Sequence, residues 1–428
     1  MREMKNSGVE WIGEIPADWN IVKVKQAFYR KNEKAQQENP VVLSLARSGV
    51  KIRDISANEG QIAESYYNYN PVSVGDLLLN PMDLYSGANC SISNVEGVIS
   101  PAYVNLKNKE NYHSQFYDYY FKVQYWMMVL FAHGKGVSFD NRWTLTNETL
   151  MNFPIVAPSL DEQHRIADFL DEKCAKIDAV IEKQKQAIEK LKEYKLSVIT
   201  EAVTKGLDPT VPMKDSDVEW IGEIPENWTV CRLRYLGSCT NGISKGGEFF
   251  GRGYPFVSYG DVYKNIELPK QVVGLVDTTE KERELYSVVE GDVLFTRTSE
   301  TIEEVALTST CMQTIENATF AGFVIRFRPN TDELTKEFSK YYFRSTKHRT
   351  FFVKEMNLVT RASLSQELLK KLPVLLPPIS EQFEIYNYLE HQCSKIDASI
   401  FQKQAIIEKL TEYKKSLIYE VVTGKKEV

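Results

Sequence analysis

The sequence predicts an α+β chain made by tandem duplication, in which two mixed α/β segments alternate with two long helices. Two repeats and one periodicity predict it. Val9-Glu-Trp-Ile-Gly-Glu-Ile-Pro-Ala-Asp-Trp19 returns as Val218-Glu-Trp-Ile-Gly-Glu-Ile-Pro-Glu-Asn-Trp228, nine identities in eleven at an offset of 209. Residues 161–204 match 380–423 at an offset of 219, with 22 identities in 44 positions and no gap. Within both tails, apolar residues recur at alternating spacings of four and three, the pattern of a helix with one buried seam.

The elements follow in order. Residues 1–19 hold the first lead-in motif and 20–153 the first variable segment. Residues 154–207 hold the first long helix, preceded by Pro154 and Pro158 and ended by Thr204-Lys-Gly206 ahead of Pro209 and Pro212. A linker with the second lead-in motif occupies 208–228, the second variable segment 229–372, and the second long helix 373–428. The first seam reads Leu170, Cys174, Ile177, Ile181, Gln184, Ile188, Leu191, Lys195, Val198, Ala202. The second reads Leu389, Cys393, Ile396, Ile400, Lys403, Ile407, Leu410, Lys414, Leu417, Val421. Polar residues interrupt both at matching places, Gln184/Lys403 and Lys195/Lys414. A polar seam residue costs stability but fixes register. Matched seams therefore predict that the helices pair with each other as a coiled coil, each about 60 Å long at 1.5 Å rise per residue.

The variable segments contain short β-rich runs such as Val41–Leu45, Asp76–Leu79, Asp292–Phe295 and Phe323–Phe327, punctuated by Gly, Asn and Pro. Aromatic-rich helical stretches follow at 116–131 and 338–352. The segments share only a skeleton: Gly75-Asp76 with Gly291-Asp292, and Arg142/Leu145 with Arg361/Leu364. Both aspartates follow a glycine into a strand and are expected to stabilise the turn. Tails kept alike meet one constraint twice, whereas segments that drifted apart serve related tasks on different targets. A scaffold presenting two unlike recognition surfaces is expected.

Composition narrows the class. The 428 residues are 43% hydrophobic and 26% charged, ordinary for a globular protein of two or three domains. No run approaches the ~18–20 apolar residues that span a bilayer, and no secretory leader is expected. Cys90, Cys174, Cys231, Cys239, Cys311 and Cys393 form no CxxC pair, which fits free thiols in the cytoplasm. The five histidines are dispersed, so no zinc site is expected. The net charge of −6 is unevenly placed. Lys+Arg against Asp+Glu is 13 to 12 in residues 20–153, 20 to 18 in 229–372, and 19 to 28 elsewhere. The variable segments are mildly basic, as a phosphate-contacting surface needs, and the acidity lies in the rest of the chain.

Catalytic signatures are missing. Phe249-Phe-Gly-Arg-Gly253 fits the FxGxG glycine pattern of S-adenosylmethionine sites, but Tyr254-Pro255 follows it instead of a helix. No (Asp/Asn/Ser)-Pro-Pro-aromatic motif is present to hold a flipped base. There is no GxxxxGK(S/T) loop and no HExxH, and Gly242-Ile-Ser-Lys-Gly-Gly247 is read as a loop. His164 is replaced by Phe383 in the second copy, which argues against a duplicated catalytic base. A non-catalytic chain is expected.

The doubled Glu-Trp-Ile-Gly-Glu-Ile-Pro motif, the Gly-Asp strand, the Pro-x-x-x-Pro-x-x-x-Glu-Gln helix start and the Lys-Ile-Asp-Ala…Glu-Tyr-Lys helix resemble the specificity subunits of type I restriction–modification systems. The resemblance covers essentially the whole chain. It implies two target-recognition domains separated by two antiparallel helices in a coiled coil with an internal pseudo-twofold repeat. Each domain would read one half of a bipartite site in double-stranded DNA. It further implies two modification (methyltransferase) subunits and two restriction subunits as partners. S-adenosylmethionine, ATP and Mg would belong to those partners, with no cofactor on this chain. The second variable segment is longer, 144 residues against 134, so unlike half-sites are expected.

Two reading heads on a spacer of ~60 Å span about two turns of B-DNA, which favours a split site with an unread gap. Direct reading needs Arg or Lys on guanine, Asn or Gln on adenine and apolar contact with thymine methyls. Candidates in the first domain are Arg47, Lys51, Arg53, Asn80, Lys135, Asn141 and Arg142. In the second they are Asn241, Lys245, Arg252, Tyr259, Arg297, Thr298 and Arg361. Arg142 and Arg361 correspond at the 219 offset, so a phosphate-holding or supporting role is expected for them. Trp11, Trp19, Trp220 and Trp228 are expected to anchor the lead-in motifs on the helices. The rival expectations are a coiled-coil scaffold without DNA binding, and a stand-alone methyltransferase or nuclease.

Overall fold

A computed structural model describes residues 2–55, 63, 65–82, 84–85, 89–136, 143–299, 305–355 and 362–428. The chain divides into two compact units, Met1–Gln184 with Ala405–Val428, and Lys185–Gln404. The division cuts both long helices, Leu160–Lys205 and Ile379–Val422. Each unit thus takes the first part of one helix and the last part of the other. Every one of the twenty seam positions is buried or half-buried, while most residues between them are exposed. The heptad in the sequence is the burial pattern in the structure. Gly206 (φ +76) and Gly424 (φ +71) follow the helix ends in left-handed conformations that glycine adopts without steric cost.

In the first unit, the core joins Ile166, Leu170 and Cys174 of the first helix to Leu417, Val421 and Val422 of the second. Lys414 Nζ lies 2.6 Å from an Asp178 carboxylate oxygen. In the second unit, Ile199, Ala202 and Val203 share a core with Ile385, Leu389 and Cys393. There Lys195 Nζ lies 2.7 Å from Asp397. A Cβ at Gly206 would meet Glu381 Oε1 at 2.9 Å, so the two helix segments of this unit run in opposite directions. Lys195 and Lys414 therefore escape the seam sideways to a carboxylate on the facing helix. Exposed pairs of this kind contribute ~0–1 kcal/mol, and their value lies in fixing register.

Both units are built on an antiparallel four-stranded sheet of one strand order. The first runs Phe28–Lys31, Val104–Asn108, Leu77–Leu79, Cys90–Ile92; the second runs Gly237–Asn241, Val324–Pro329, Val293–Thr296, Thr308–Thr310. The Gly-Asp turns enter corresponding strands. Asp76 Oδ2 accepts the Ser73 N–H and Asp292 Oδ2 the Val289 N–H, both at 2.8 Å, and Gly75 (φ +89) and Gly291 (φ +90) make the preceding bend. These aspartates stabilise their turns as expected, and each also holds a half-buried cation. Lys31 Nζ lies 2.6 Å from Asp76, and Arg328 grips Asp292 with two bonds of 2.7 Å.

The lead-in motifs form hairpins, Met4–Asn6 with Glu14–Pro16 and Met213–Asp215 with Glu223–Pro225. Trp19 and Trp228 are buried, and Trp19 Nε1 donates to Glu162 Oε2 on the first helix at 2.9 Å. Trp11 packs edge-on to His133 at 4.6 Å between centroids, and Trp220 edge-on to His348 at 5.8 Å. Trp19 and Trp228 anchor at the long helices as the sequence predicts, whereas Trp11 and Trp220 pack on the variable segments, against Phe153 and Phe351 as well.

The repeated Glu-Gln at each helix start has a specific task. Gln163 Nε2 donates to the carbonyls of Pro158 (2.9 Å) and Asn111 (3.2 Å), while its Oε1 accepts the His113 N–H at 2.8 Å. Gln382 Nε2 donates to Pro377 (2.9 Å) and Glu333 (2.7 Å), and its Oε1 accepts the Thr335 N–H at 2.9 Å. One buried amide thus ties the helix start to the segment that begins the aromatic helix of its own unit. A second tie repeats too, with Tyr119 donating to Asp171 and Tyr341 to Glu390, both at 2.6 Å.

Gln382→Ala is expected to strip the partner from the buried Pro377 carbonyl, at roughly 1–3 kcal/mol, and to lose two half-buried bonds besides, lowering the denaturation midpoint. Lys370→Ala, which removes an exposed ion pair with Glu367, should shift it by under about 0.5 kcal/mol. Burial pulls His348 down to about 4 from its ordinary 6.5, with the Ser345 hydroxyl 2.8 Å from Nδ1. The folded state then binds fewer protons than the unfolded one. Stability is full above pH ~6.5 and falls by about 3 kcal/mol as pH drops toward 4. Urea titrations over that range should show this loss, and His348→Gln should flatten it.

Candidate nucleic-acid interface

In the second unit, strand order gathers several expected residues at one sheet end. Asn241 closes strand Gly237–Asn241, and Gly242 donates its N–H to the Val324 carbonyl at 3.1 Å. Arg297 follows strand Val293–Thr296; its N–H donates to the Phe323 carbonyl and its carbonyl accepts the Leu364 N–H at 2.7 Å. Thr298 pairs with Ser363. Asn241, Arg297 and Thr298 therefore come together around the turn Ala321–Gly322–Phe323. Arg361 lies outside the described residues.

Lys245 and Arg252 belong to a second cluster. Lys245 Nζ donates to the Asp277 carbonyl at 2.8 Å and to Glu282 Oε2 at 2.9 Å, and lies 5.0 Å from the Phe249 ring centre. The Lys245 ammonium holds the Glu282 carboxyl below its ordinary range. Its charge is already consumed inside the unit, which makes it a brace and corrects the expectation of a free reader. Arg252 is exposed and 3.7 Å from Asp277. Tyr259 stacks on Tyr263 at 6.0 Å along a short helix capped by Ser258. Arg326 and Arg344 are likewise structural, donating to the carbonyls of Ser287 and Asn265 at 2.6 Å. Burial pushes the Arg344 guanidinium down to about 10.

In the first unit, Arg47 is exposed at the turn between strands Leu43–Ala46 and Gly49–Ile52, and Lys51 is exposed on the second of them. Arg53 is half-buried, its N–H donating to Val42. Lys135 is exposed, its backbone paired both ways with Thr144 at the base of a loop. Asn141 and Arg142 lie outside the described residues. Asn80 is a correction: it is buried, its Oδ1 accepts the Met82 N–H at 2.9 Å, and its carbonyl accepts the Tyr125 hydroxyl at 2.6 Å. It matches Thr296, the residue before Arg297. The residue matching Arg297 is Pro81, whose carbonyl accepts the Leu145 N–H at 2.8 Å.

Sequence reasoning missed two exposed aromatics, Phe323 (64%) and Tyr85 (69%). Phe323 opens an apolar run that reads wholly as buried strand, yet it sits on the turn before the strand begins. Among the described residues no group of three or more His, Cys, Asp or Glu side chains could hold a metal. None of their helices is long and apolar enough to cross a membrane.

A doubled sheet scaffold with unlike polar ends defines a recognition protein, and comparison with known families agrees. Residues 92–190 and 225–411, about two thirds of the chain, match the type I restriction modification DNA specificity domain. The chain therefore belongs to the family of type I restriction–modification DNA specificity subunits, which are non-catalytic. It is 25% identical over 283 residues to the type I restriction enzyme EcoKI specificity subunit of Escherichia coli K12, spanning 64% of this chain and 58% of that subunit. Against the MjaVIII specificity subunit of Methanocaldococcus jannaschii it is 22% identical over 429 residues, 96% of this chain and 93% of the relative. A chain solved in a study of complex assembly and conformational transition of the type I system shares the fold. Its TM-score is 0.71 at 15% identity, covering 96% of this chain and 99% of the other.

Lys245→Ala and Arg297→Ala are expected to separate bracing from reading. The first should lower the melting temperature of the chain by a few degrees and leave its DNA target unchanged. The second should leave melting unchanged and relax discrimination at one base pair by about 1–3 kcal/mol, read by competition binding.

Proposed function

We propose that this chain is the sequence-reading subunit of a cytoplasmic type I restriction–modification complex, each unit reading one half of a bipartite DNA site. The carrying observation is that two units share strand order, Gly-Asp turn and Gln clamp, yet carry different side chains at the sheet end. The scaffold repeats and the reading residues do not. Helices of 46 and 44 residues, about 65–70 Å at 1.5 Å per residue, suit an antiparallel coiled coil that sets the distance between the two reading heads. Lys195–Asp397 and Lys414–Asp178, related by the 219 offset, support a pseudo-twofold register.

Arg47, Lys51, Lys135 and Arg252 are exposed cations suited to phosphate, and Asn241, Arg297 and Thr298 to base edges. The exposed helix surface outside the seams suits docking of two methyltransferase subunits, with two restriction subunits joining them. S-adenosylmethionine, ATP and Mg would be bound by those subunits. A scaffold without a DNA role leaves the cluster around Arg297 without a purpose.

Methylome sequencing of host cells with and without this gene is expected to reveal a two-part motif that is methylated only when the gene is present. The chain complexed with its methyltransferase subunits should bind that duplex at ~150 mM salt, with log affinity falling linearly against log salt concentration. An unchanged methylome together with no binding would refute the proposal.

A further inference from the structure

We infer that Arg297 and Phe323 form a cross-strand reading pair, with Phe323 packing on the 5-methyl group of a thymine beside the base that Arg297 contacts. This rests on the DNA-reading role proposed above. Thr296 lies opposite Val324 in the antiparallel ladder, so the next residues outward, Arg297 and Phe323, face each other. Residues directly opposite in such a ladder project from the same face of the sheet. The Arg297 N–H donates to the Phe323 carbonyl at 2.9 Å, and a guanidinium N–H reaches the Gly322 carbonyl at 3.5 Å.

Phe323 is 64% exposed on a turn with little freedom. The Ile243 N–H donates to the Phe320 carbonyl (2.8 Å), the Ala321 N–H to Val257 (3.0 Å) and the Val324 N–H to Ala321 (2.9 Å). A Cβ on Gly242 would fall 2.2 Å from the Ala321 carbonyl oxygen, so glycine is what lets that strand end close against the turn. Single exposed apolar residues are common on protein surfaces. This one differs in being held rigid opposite an arginine, and in being absent from the other unit.

The same register in the first unit, with Leu79 opposite Val104, places Pro81 opposite Ala102. The carbonyls of Pro81 and Arg297 accept from Leu145 and Leu364 in the same way. The scaffold therefore repeats at this point while both outward side chains are replaced, as a specificity-determining pair requires. In the major groove the thymine methyl is the apolar feature an aromatic ring can read, next to hydrogen-bonding edges that suit a guanidinium.

The test uses the chain in complex with its methyltransferase subunits and duplexes carrying the methylated motif. Thymines are replaced one at a time by deoxyuridine, which removes only the methyl. At one A·T pair, in the half whose reading Arg297→Ala relaxes, the wild-type complex should lose about fourfold in affinity, the value of one buried methyl. Phe323→Ala should bind the thymine duplex at least fourfold more weakly and no longer distinguish uracil there. Phe323→Leu should retain part of the distinction, and the other half-site should respond identically in all variants. An unchanged melting temperature for Phe323→Ala excludes a folding defect. The inference is overturned if Phe323→Ala still discriminates thymine from uracil wherever wild type does, or if that half contains no A·T pair. A wild-type complex that binds no DNA would instead overturn the DNA-reading role itself.

Discussion

One buried glutamine at the start of each long helix carries the architecture. Gln163 and Gln382 spend both amide N–H groups and the carbonyl oxygen on backbone groups of the preceding turn and of the segment entering the aromatic helix. The Pro158 and Pro377 carbonyls at these junctions are bonded in buried surroundings, so those two bonds are expensive to lose. The consequence is geometric. A unit whose surface has drifted in sequence keeps the same joint to its helix, because the joint is made of main chain and one amide.

The second constraint is the Gly-Asp turn. Asp76 and Asp292 are buried carboxylates, and each is held by its own turn N–H and by a cation, Lys31 in one unit and Arg328 in the other. A buried carboxylate must be paired and hydrogen-bonded to persist as an ion, so the partner can change while the need for a partner cannot. The strand that follows is thereby fixed in register, and its outer end becomes the place where Pro81 in one unit gives way to Arg297 in the other.

Charge explains why the expected binding residues divide as they do. Lys245, Arg326, Arg328 and Arg344 are spent on carboxylates and carbonyls inside the second unit, whereas Arg252 is exposed. In the first unit Arg47, Lys51 and Lys135 are exposed, while Asn80 turns inward. The mild basicity of each segment is therefore a sum over braces and free cations, and a residue count does not distinguish them. Asn80 is legible in the sequence as a polar residue after a strand, and only its bonds to Met82 and Tyr125 show that it faces inward.

The duplication, the two long helices, their seams with matched polar interruptions, the turn aspartates and the burial of Trp19 and Trp228 are all legible along the linear chain. All of these follow from local periodicity or from a motif repeated at fixed offset, and neither needs a partner from elsewhere in the chain to be read. Only the tertiary structure decided which cations are free, that Lys195 and Lys414 reach Asp397 and Asp178, and that Phe323 stands exposed opposite Arg297. Those outcomes depend on pairings between residues tens to hundreds of positions apart. A linear pattern gives the preference of each residue, and the register of the folded chain decides which neighbour satisfies it.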